Sequence, residues 1–374
     1  MKIIYCINGT YNSGGMERVL MNKANYLAEV LGYEVSIVTT EQKGRNHFFI
    51  FSPKIHFFDL GINYDDDRDK NLFRRLFLKQ LKKKEHHKRL SQLLFQERPD
   101  VCVSMFDRDA DFLYRIKDGS KKVLEYHFSR YSKLVSTQNR VIRWMQAIRI
   151  AGWKSMVRRY DRFVVLTEED KKAWGNIPNM VVIPNFITDL PADRALLLNK
   201  RVVSVGRLNY LKGFDRLIKV WQRVHFAYPD WQLYIFGNGE KRQELEALVE
   251  ELQLSDCIFL MPATLDIGEE YLKSSVYALS SRCEGFGMVL LEAMSCGLPI
   301  VSFDCPCGPK DLIGKSFGSL VPDGETEIFA KELMNWMADA DKRKRASENA
   351  RRTVGHYLQP EIMKKWQQLF ESLV

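Results

Sequence analysis

The hydrophobic positions along the chain change period again and again. Ile3–Ile7 is a short apolar run followed by Asn8-Gly9 and Ser13-Gly14-Gly15. Met16, Val19, Leu20, Ala24, Leu27 and Leu31 then recur at helical spacing until Gly32 stops the pattern. Val35–Val38 reads as the next strand, and Val101–Met105, Val123–Tyr126, Phe163–Leu166 and Val181–Ile183 as later ones. The scheme then starts afresh. Val202–Val205 ends in Gly206, and Phe214, Leu217, Ile218, Trp221 and Val224 share one helical face. Leu233–Phe236 ends in Gly237-Asn238-Gly239 and leads into a helix carrying Leu245, Leu248 and Leu252. Cys257–Leu260, Val276–Leu279 and Pro299–Ser302 complete the predicted strands. A last helical pattern, with Ile362, Trp366, Leu369 and Phe370, occupies Pro360–Val374.

Strands alternating with helices imply parallel sheets covered on both faces, an α/β fold. A length of 374 residues suggests two domains. The break falls at the polar, proline-containing joint Thr188-Asp189-Leu190-Pro191-Ala192. The expected division is therefore 1–190 and 191–359, with the helix of 360–374 packing back on the first domain. Open α/β sheets bind ligands at the carboxyl ends of their strands, so two facing sheets would share one cleft.

Composition narrows this picture. No run of eighteen apolar residues appears, so no membrane-spanning helix is expected. The opening residues turn polar too soon for a signal peptide. Seven scattered cysteines, with one Cys305-x-Cys307 pair and no second ligand pair, read as reduced cytoplasmic thiols and not as a metal site. The net charge of +9 is uneven. Residues 1–190 hold 33 Lys and Arg against 22 Asp and Glu, and the remainder holds 23 against 25, so the basic excess belongs to the first half. It is densest from Lys70 to Arg89, with Arg74, Arg75, Lys79, Lys82, Lys83, Lys84 and Lys88 among Leu72, Phe73, Leu76, Phe77 and Leu81. A second stretch sets Arg140, Arg143, Arg149, Lys154, Arg158 and Arg159 around Trp144, Ile148 and Trp153. Such segments suit an anionic membrane surface, electrostatic binding of nucleic acid, or a solvated helix whose apolar stripe packs on its own core. No nucleic-acid motif accompanies them, and no nucleic-acid partner is expected.

The most specific chemistry lies between Arg282 and Pro299. Glu284-Gly285-Phe286-Gly287-Met288 is followed by Leu290-Leu291-Glu292-Ala293-Met294, which sets two glutamates eight positions apart. Gly285 and Gly287 allow close backbone approach to a ligand. The helix that follows offers free N–H groups and a positive dipole end to an anion. Glu292, inside that helix, can accept hydrogen bonds from ribose hydroxyls, and Glu284, before it, can reach the hydroxyls of a sugar. Gly237-Asn238-Gly239, between a strand and a helix, suits a loop lining a base or diphosphate. It is not a full G-x-G-x-x-G, which argues against a dinucleotide cofactor.

Four blocks together carry a family resemblance. They are Gly14-Gly15-Met16-Glu17-Arg18, Val182-Ile183-Pro184-Asn185, Gly206-Arg207-Leu208 through Lys212-Gly213, and the two-glutamate block. In that order and spacing the chain resembles the family 4 glycosyltransferases, which have the GT-B architecture of two Rossmann-like, doubly wound parallel-sheet domains facing across a cleft. The resemblance implies a retaining, metal-independent transfer from a nucleotide diphosphate-sugar, more readily a uridine than a guanosine one, with no cofactor. It implies that Arg207 and Lys212 neutralise the leaving diphosphate and that Glu284 holds the donor sugar. It places Glu292 on the ribose, and Gly285, Phe286, Gly287 and Met288 along the donor. Gly14 and Gly15 match the family's glycine loop opposite the donor, and His127 its cleft histidine beside the reacting carbon. Without the resemblance, a Gly-Gly after a strand is a turn and a lone histidine more often structural. Glu17 and Arg18 suit either acceptor contact or the helix terminus. Asp107 and Asp109, after a strand, suit the acceptor side, Asn185, in a turn near the hinge, a structural role or the periphery of the nucleotide, and Pro262-Ala263-Thr264 the nucleobase.

The phrase Ser302-Phe303-Asp304-Cys305-Pro306-Cys307-Gly308-Pro309 resembles enzymes of capsule, exopolysaccharide or lipopolysaccharide synthesis. The expected acceptor is then a lipid-linked saccharide bound by the first domain. The expected location is the cytoplasm, peripheral on the inner face of the plasma membrane. A nucleotide-sugar epimerase and a non-catalytic nucleotide-sugar-binding subunit are the competing readings on the same fold.

Overall fold

The computed structural model describes residues 1–67, 69, 71–137 and 139–374, without the side chain of Leu72. Lys70 of the first basic stretch lies outside the described residues. The first sheet comprises β1 (Lys2–Cys6), β2 (Glu34–Thr39), β3 (His56–Asp59), β4 (Val101–Ser104), β5 (Lys121–Tyr126), β6 (Arg162–Val165) and β7 (Met180–Val182). All neighbours are parallel, in the order β3-β2-β1-β4-β5-β6-β7. The second comprises β8 (Arg201–Val205), β9 (Gln232–Phe236), β10 (Ile258–Met261), β11 (Val276–Leu279), β12 (Ile300–Asp304) and β13 (Gly318–Pro322). It is also fully parallel, in the order β10-β9-β8-β11-β12-β13. The doubly wound α/β reading therefore holds twice over.

Each sheet reverses its winding once, between β1 and β4 and between β8 and β11. Connections leave in opposite directions there and open a crevice at the strands' carboxyl ends, which is where such sheets bind ligands. The loops after β1, β4, β8 and β11 carry the Gly14-Gly15 turn, Asp107–Asp109, Arg207–Lys212 and Glu284–Gly287. His127 follows β5, the next strand over. The central strands are buried on both faces, which explains their continuous apolar runs.

Helix Gly15–Glu29 buries Leu20, Ala24, Leu27 and Ala28 against the first sheet. The C-terminal helix Gln359–Glu371 enters the same core, where Ile362, Met363, Trp366, Leu369 and Phe370 lie with Ile3, Tyr5, Ile37 and Val103. Its first residue donates from Nε2 to the carbonyl of Asn22 over 2.9 Å. The chain thus leaves the first sheet, builds the second and returns.

The helices of the two basic stretches behave differently. Leu72–Glu97 buries Leu90 and Leu94 near its C-terminal end, yet Phe73 is 86% and Phe77 64% exposed. In Arg140–Val157, Ile150, Trp153 and Val157 are buried while Trp144 is 66% exposed, with Val141, Met145 and Ile148 also outside. Burial and then Arg108 and Arg149 pull the Lys79 ammonium below its ordinary range, which places the two helices within electrostatic reach of each other. Packing of the whole apolar stripe on the protein's own core is therefore excluded for these two segments. Among the described residues, no helix is long and apolar enough to cross a membrane.

Candidate functional site

The second sheet's side of the cleft is built on glycine. Gly213 has φ +64°, and a Cβ there would stand 2.2 Å from the carbonyl oxygen of Ser280, so the loop holding Lys212 packs flush on the end of β11. Lys212 reaches Glu284 and donates to both carboxylate oxygens, at 2.7 and 2.9 Å. Ser281 donates its hydroxyl to the same carboxylate over 2.5 Å. Glu284 is buried, so this pair is a preassembled, fully hydrogen-bonded unit. Arg207 is exposed and its guanidinium has no side-chain partner among the described residues. One cation is therefore held on a carboxylate and the other is free for an anion.

Gly287, at φ +91°, caps the helix Met288–Ser295, in which Glu292 is the fifth residue. Phe286 buries its ring in the second core, so what it offers the cleft is backbone. Met288 is half-buried at the helix start. Gly237 and Gly239 close on protein: a Cβ would lie 1.9 Å from the Gly206 carbonyl oxygen at the first and 2.2 Å from that of Leu208 at the second. Their small size lets the loop after β9 nest on the loop that presents Arg207. Asn238 between them is exposed and accepts from the backbone N–H of Ala263 over 3.4 Å, which brings Pro262-Ala263-Thr264 alongside.

From the first sheet, Gly14 caps its helix with no side-chain bond and has Glu17 folded over it, while nothing lies within 4 Å of a Cβ at Gly15. Burial raises the Glu17 carboxyl above the usual range, opposed by Asn12 and by nearby His127. His127 Nε2 lies 2.9 Å from Glu125 Oε1, without the alignment of a hydrogen bond. Its own carbonyl oxygen faces Gly285, where a Cβ would come within 2.3 Å. That contact joins the two halves. So does Arg18, which donates to Glu292 Oε1 over 3.0 Å and is the sole ion pair between the halves among the described residues. The hydroxyl of buried Tyr271 donates to the other oxygen over 3.2 Å. A third contact sets Cys307 against helix Glu168–Trp174, with its N–H on Glu169 and its thiol on Asp170.

Gly14, Gly15, Arg207, Lys212, Glu284, Gly285 and Glu292 thus gather at the two switch points, with His127 one strand over and against Gly285. Asp107 and Asp109 line a small cavity with Ile7 and Thr40 beyond the ends of β1 and β2, and burial there lifts the Asp109 carboxyl to about 7. Asn185 is buried at the joint between the halves. Sequence reading missed Tyr271 and Ser281, and it missed Lys23 and Glu125, which are paired in the first core behind His127. Lys23 falls on the apolar stripe of its helix and Glu125 inside an apolar strand, and a charge at such a position was the available signal.

Two doubly wound sheets meeting at their switch points, with cations and carboxylates on one side and a glycine loop and histidine on the other, define a GT-B protein. Residues 13–189 match the family model described as Glycosyltransferase Family 4, and residues 194–353 match Glycosyl transferases group 1. An uncharacterized glycosyltransferase of Haemophilus influenzae is 32% identical over 371 residues, 98% of each chain. The chain belongs to the family 4 glycosyltransferases. The lipopolysaccharide core biosynthesis glycosyltransferase LpsE of Rhizobium meliloti is 26% identical over 366 residues, 96% of each chain. The structure of S. aureus TarM, solved with fondaparinux, α-GlcNAc-glycerol and UDP, superposes with a TM-score of 0.78 at 14% identity over 99% of each chain.

Proposed function

We propose that this glycosyltransferase is a retaining, metal-independent enzyme that transfers a sugar from a UDP-sugar to a lipid-linked saccharide during assembly of a cell-surface polysaccharide. The observation that carries the reading is the convergence of Arg207, Lys212, Glu284 and Glu292 on one side of the cleft, opposite Gly14, Gly15 and His127. The second half, 191–359, binds the donor and the first half the acceptor. Glu292 accepts from the ribose hydroxyls, Glu284 from the sugar, and the start of helix Met288–Ser295 faces the diphosphate. The acceptor oxygen attacks the anomeric carbon on the face from which the diphosphate departs. The bond from that carbon to the phosphate oxygen breaks, and the departing oxygen takes the acceptor's proton. Arg207 and Lys212 stabilise the charge that grows on the phosphate, a preorganised contribution that costs no rearrangement during the reaction. Relatives such as the lipopolysaccharide core enzyme support the polysaccharide assignment, and the UDP bound to TarM supports the uridine donor.

The exposed apolar and basic surface of helices Leu72–Glu97 and Arg140–Val157 docks on the inner face of the plasma membrane. Phe73, Phe77 and Trp144 enter the interface, while Arg74, Arg75, Arg140 and Arg143 meet anionic headgroups, each contributing about 1 kcal/mol. Lys82 and Lys83 contribute less because they already pair with Asp67 and Asp111.

Thermal shift in EDTA against UDP-, GDP- and TDP-sugars, on the native chain and on Glu292→Ala, tests the donor site. A donor at about 100 times its Kd adds roughly 2.7 kcal/mol of stability. The expected outcome is a shift with UDP-sugars that the variant loses. No shift with any sugar nucleotide would remove the reading of a working transferase.

A further inference from the structure

Lys23 and Glu125 form an ion pair inside the first domain, their side chains 0% and 1% exposed. Lys23 projects from the inner face of helix Gly15–Glu29 and donates to both oxygens of Glu125 in β5. The ring of Trp366, on the returning C-terminal helix, covers the ammonium at 3.9 Å from its centroid, and the ring of Tyr5 in β1 lies at 5.1 Å. Burial pulls the Lys23 ammonium below its ordinary range. Burial pushes Glu125 the other way from ionisation too, but Lys23 and then His127 outweigh it and hold its carboxyl low.

A pair buried this deeply is not explained by stability. Removing two charges from water costs several kcal/mol per ion, and an apolar pair of similar volume usually does as well or better. What distinguishes this pair is where it leads. Glu125 Oε1, one of the two oxygens that Lys23 holds, lies 2.9 Å from His127 Nε2. Glu17, over the glycine loop, is a second charged group close to His127.

We propose that Lys23 and Glu125 are positioning residues that fix the orientation of the His127 imidazole for the bound sugar, with Trp366 as the clamp on Lys23. Lys23 locks the carboxylate from two sides, and the locked carboxylate sets its charge 2.9 Å from the Nε2 edge of the ring, an electrostatic contact that turns Nδ1 to the donor. The returning helix thereby ties the end of the chain to the centre of the cleft. This rests on the reading of His127 as a sugar-contacting residue.

The test compares Lys23→Met/Glu125→Leu, which removes both charges together, with His127→Ala and with the triple variant. Removing one partner alone would strand a buried charge. The paired variant is expected to keep or exceed the native Tm. Its kcat should fall between about ten- and a hundredfold, as misplacement of a reacting group does, with donor KM within about twofold. Adding His127→Ala should cost little more, because all three residues act through one ring. Native kcat in the paired variant, or losses that multiply in the triple variant, would overturn the proposal. Nitrogen-15 spectra of the histidines give a second readout, with His127→Ala identifying the resonance. His127 should show one fixed tautomer in the native protein and an averaged ring in the paired variant, and identical ring shifts in both would overturn the positioning role. If His127→Ala itself leaves kcat unchanged, the sugar-contact reading fails, and the spectra still decide whether the pair orients the ring. Should the paired variant not fold, Lys23→Gln/Glu125→Gln, which removes both charges and keeps polar side chains of similar length, carries the same measurements.

Discussion

At the scale of single residues, the cleft keeps its charges in different states. Lys212 is held by Glu284, Arg207 is free, and Glu292 is shared by Arg18 and Tyr271. Each oxygen of a carboxylate has a second lone pair, so Glu292 can bind a ribose without releasing either partner. Asp109 stands apart. Buried just after β4 with Oδ2 unpartnered, it has its carboxyl raised to about 7 by burial first and by Asp107 and Asp111 as well. A folded-state value above the unfolded one means that the folded chain prefers the proton. This group's destabilising effect is then absent below about pH 4, grows as pH rises towards 7, and is constant above that. The shift of about three units corresponds to about 4 kcal/mol as an upper bound. Asp109→Asn should therefore raise Tm at pH 8 and raise it less at pH 5, read by calorimetry at both values. An equal change at the two pH values would refute this account.

At the scale of elements, two helices and two strands are the informative ones. β3, with sequence His56-Phe57-Phe58-Asp59, and β13, with Gly318 at one end and Pro322 at the other, escaped the sequence reading. Both are edge strands. An edge strand is buried on fewer sides, so it lacks the continuous apolar run of a central one and tolerates turn-like residues. The helix Leu72–Glu97 shows the opposite situation. Its pattern predicts a helix, but nothing in the pattern says that Leu90 and Leu94 are covered while Phe73 and Phe77 are not. The triple substitution Phe73→Ser, Phe77→Ser and Trp144→Ser should release the protein from vesicles containing anionic lipid without lowering Tm, because these side chains touch little of the core. Cosedimentation equal to that of the native chain would sink the membrane reading alone and leave the donor site intact.

At the scale of the whole molecule, function depends on how the halves meet. The Arg18–Glu292 pair is partly exposed and by itself contributes at most about 1 kcal/mol, so it can break and re-form as the cleft opens. The contact of Gly285 with the His127 carbonyl is stricter, because a side chain cannot enter there while the cleft is shut. Gly285→Ala should leave Tm and UDP binding close to native, since each half keeps its own core. Transfer should fall by about a hundredfold, since a misplacement of about 1 Å at the reacting centre has that effect. The measurement is kcat beside Tm and nucleotide affinity, and native kcat would show that closure at this point is dispensable.

The sequence by itself determined the alternation of strands and helices, the two-sheet architecture and the identity of the central strands. A buried parallel sheet demands long apolar runs punctuated by glycine, and such runs are local. The two-glutamate block of the sequence pointed to Glu284 and Glu292, and the resemblance to the family pointed to Arg207, Lys212, Gly14, Gly15 and His127, all in loops or helices that follow strands. Only the tertiary structure decided that Arg18 reaches Glu292, 274 positions away, that Lys23 and Glu125 meet behind His127, and that Gly237 and Gly239 serve the nesting of loops. It also decided which part of each basic helix is uncovered. These are matters of which elements become neighbours, set by the order of strands in a sheet and by where the chain returns, and a one-dimensional pattern records a residue's burial but not its partner.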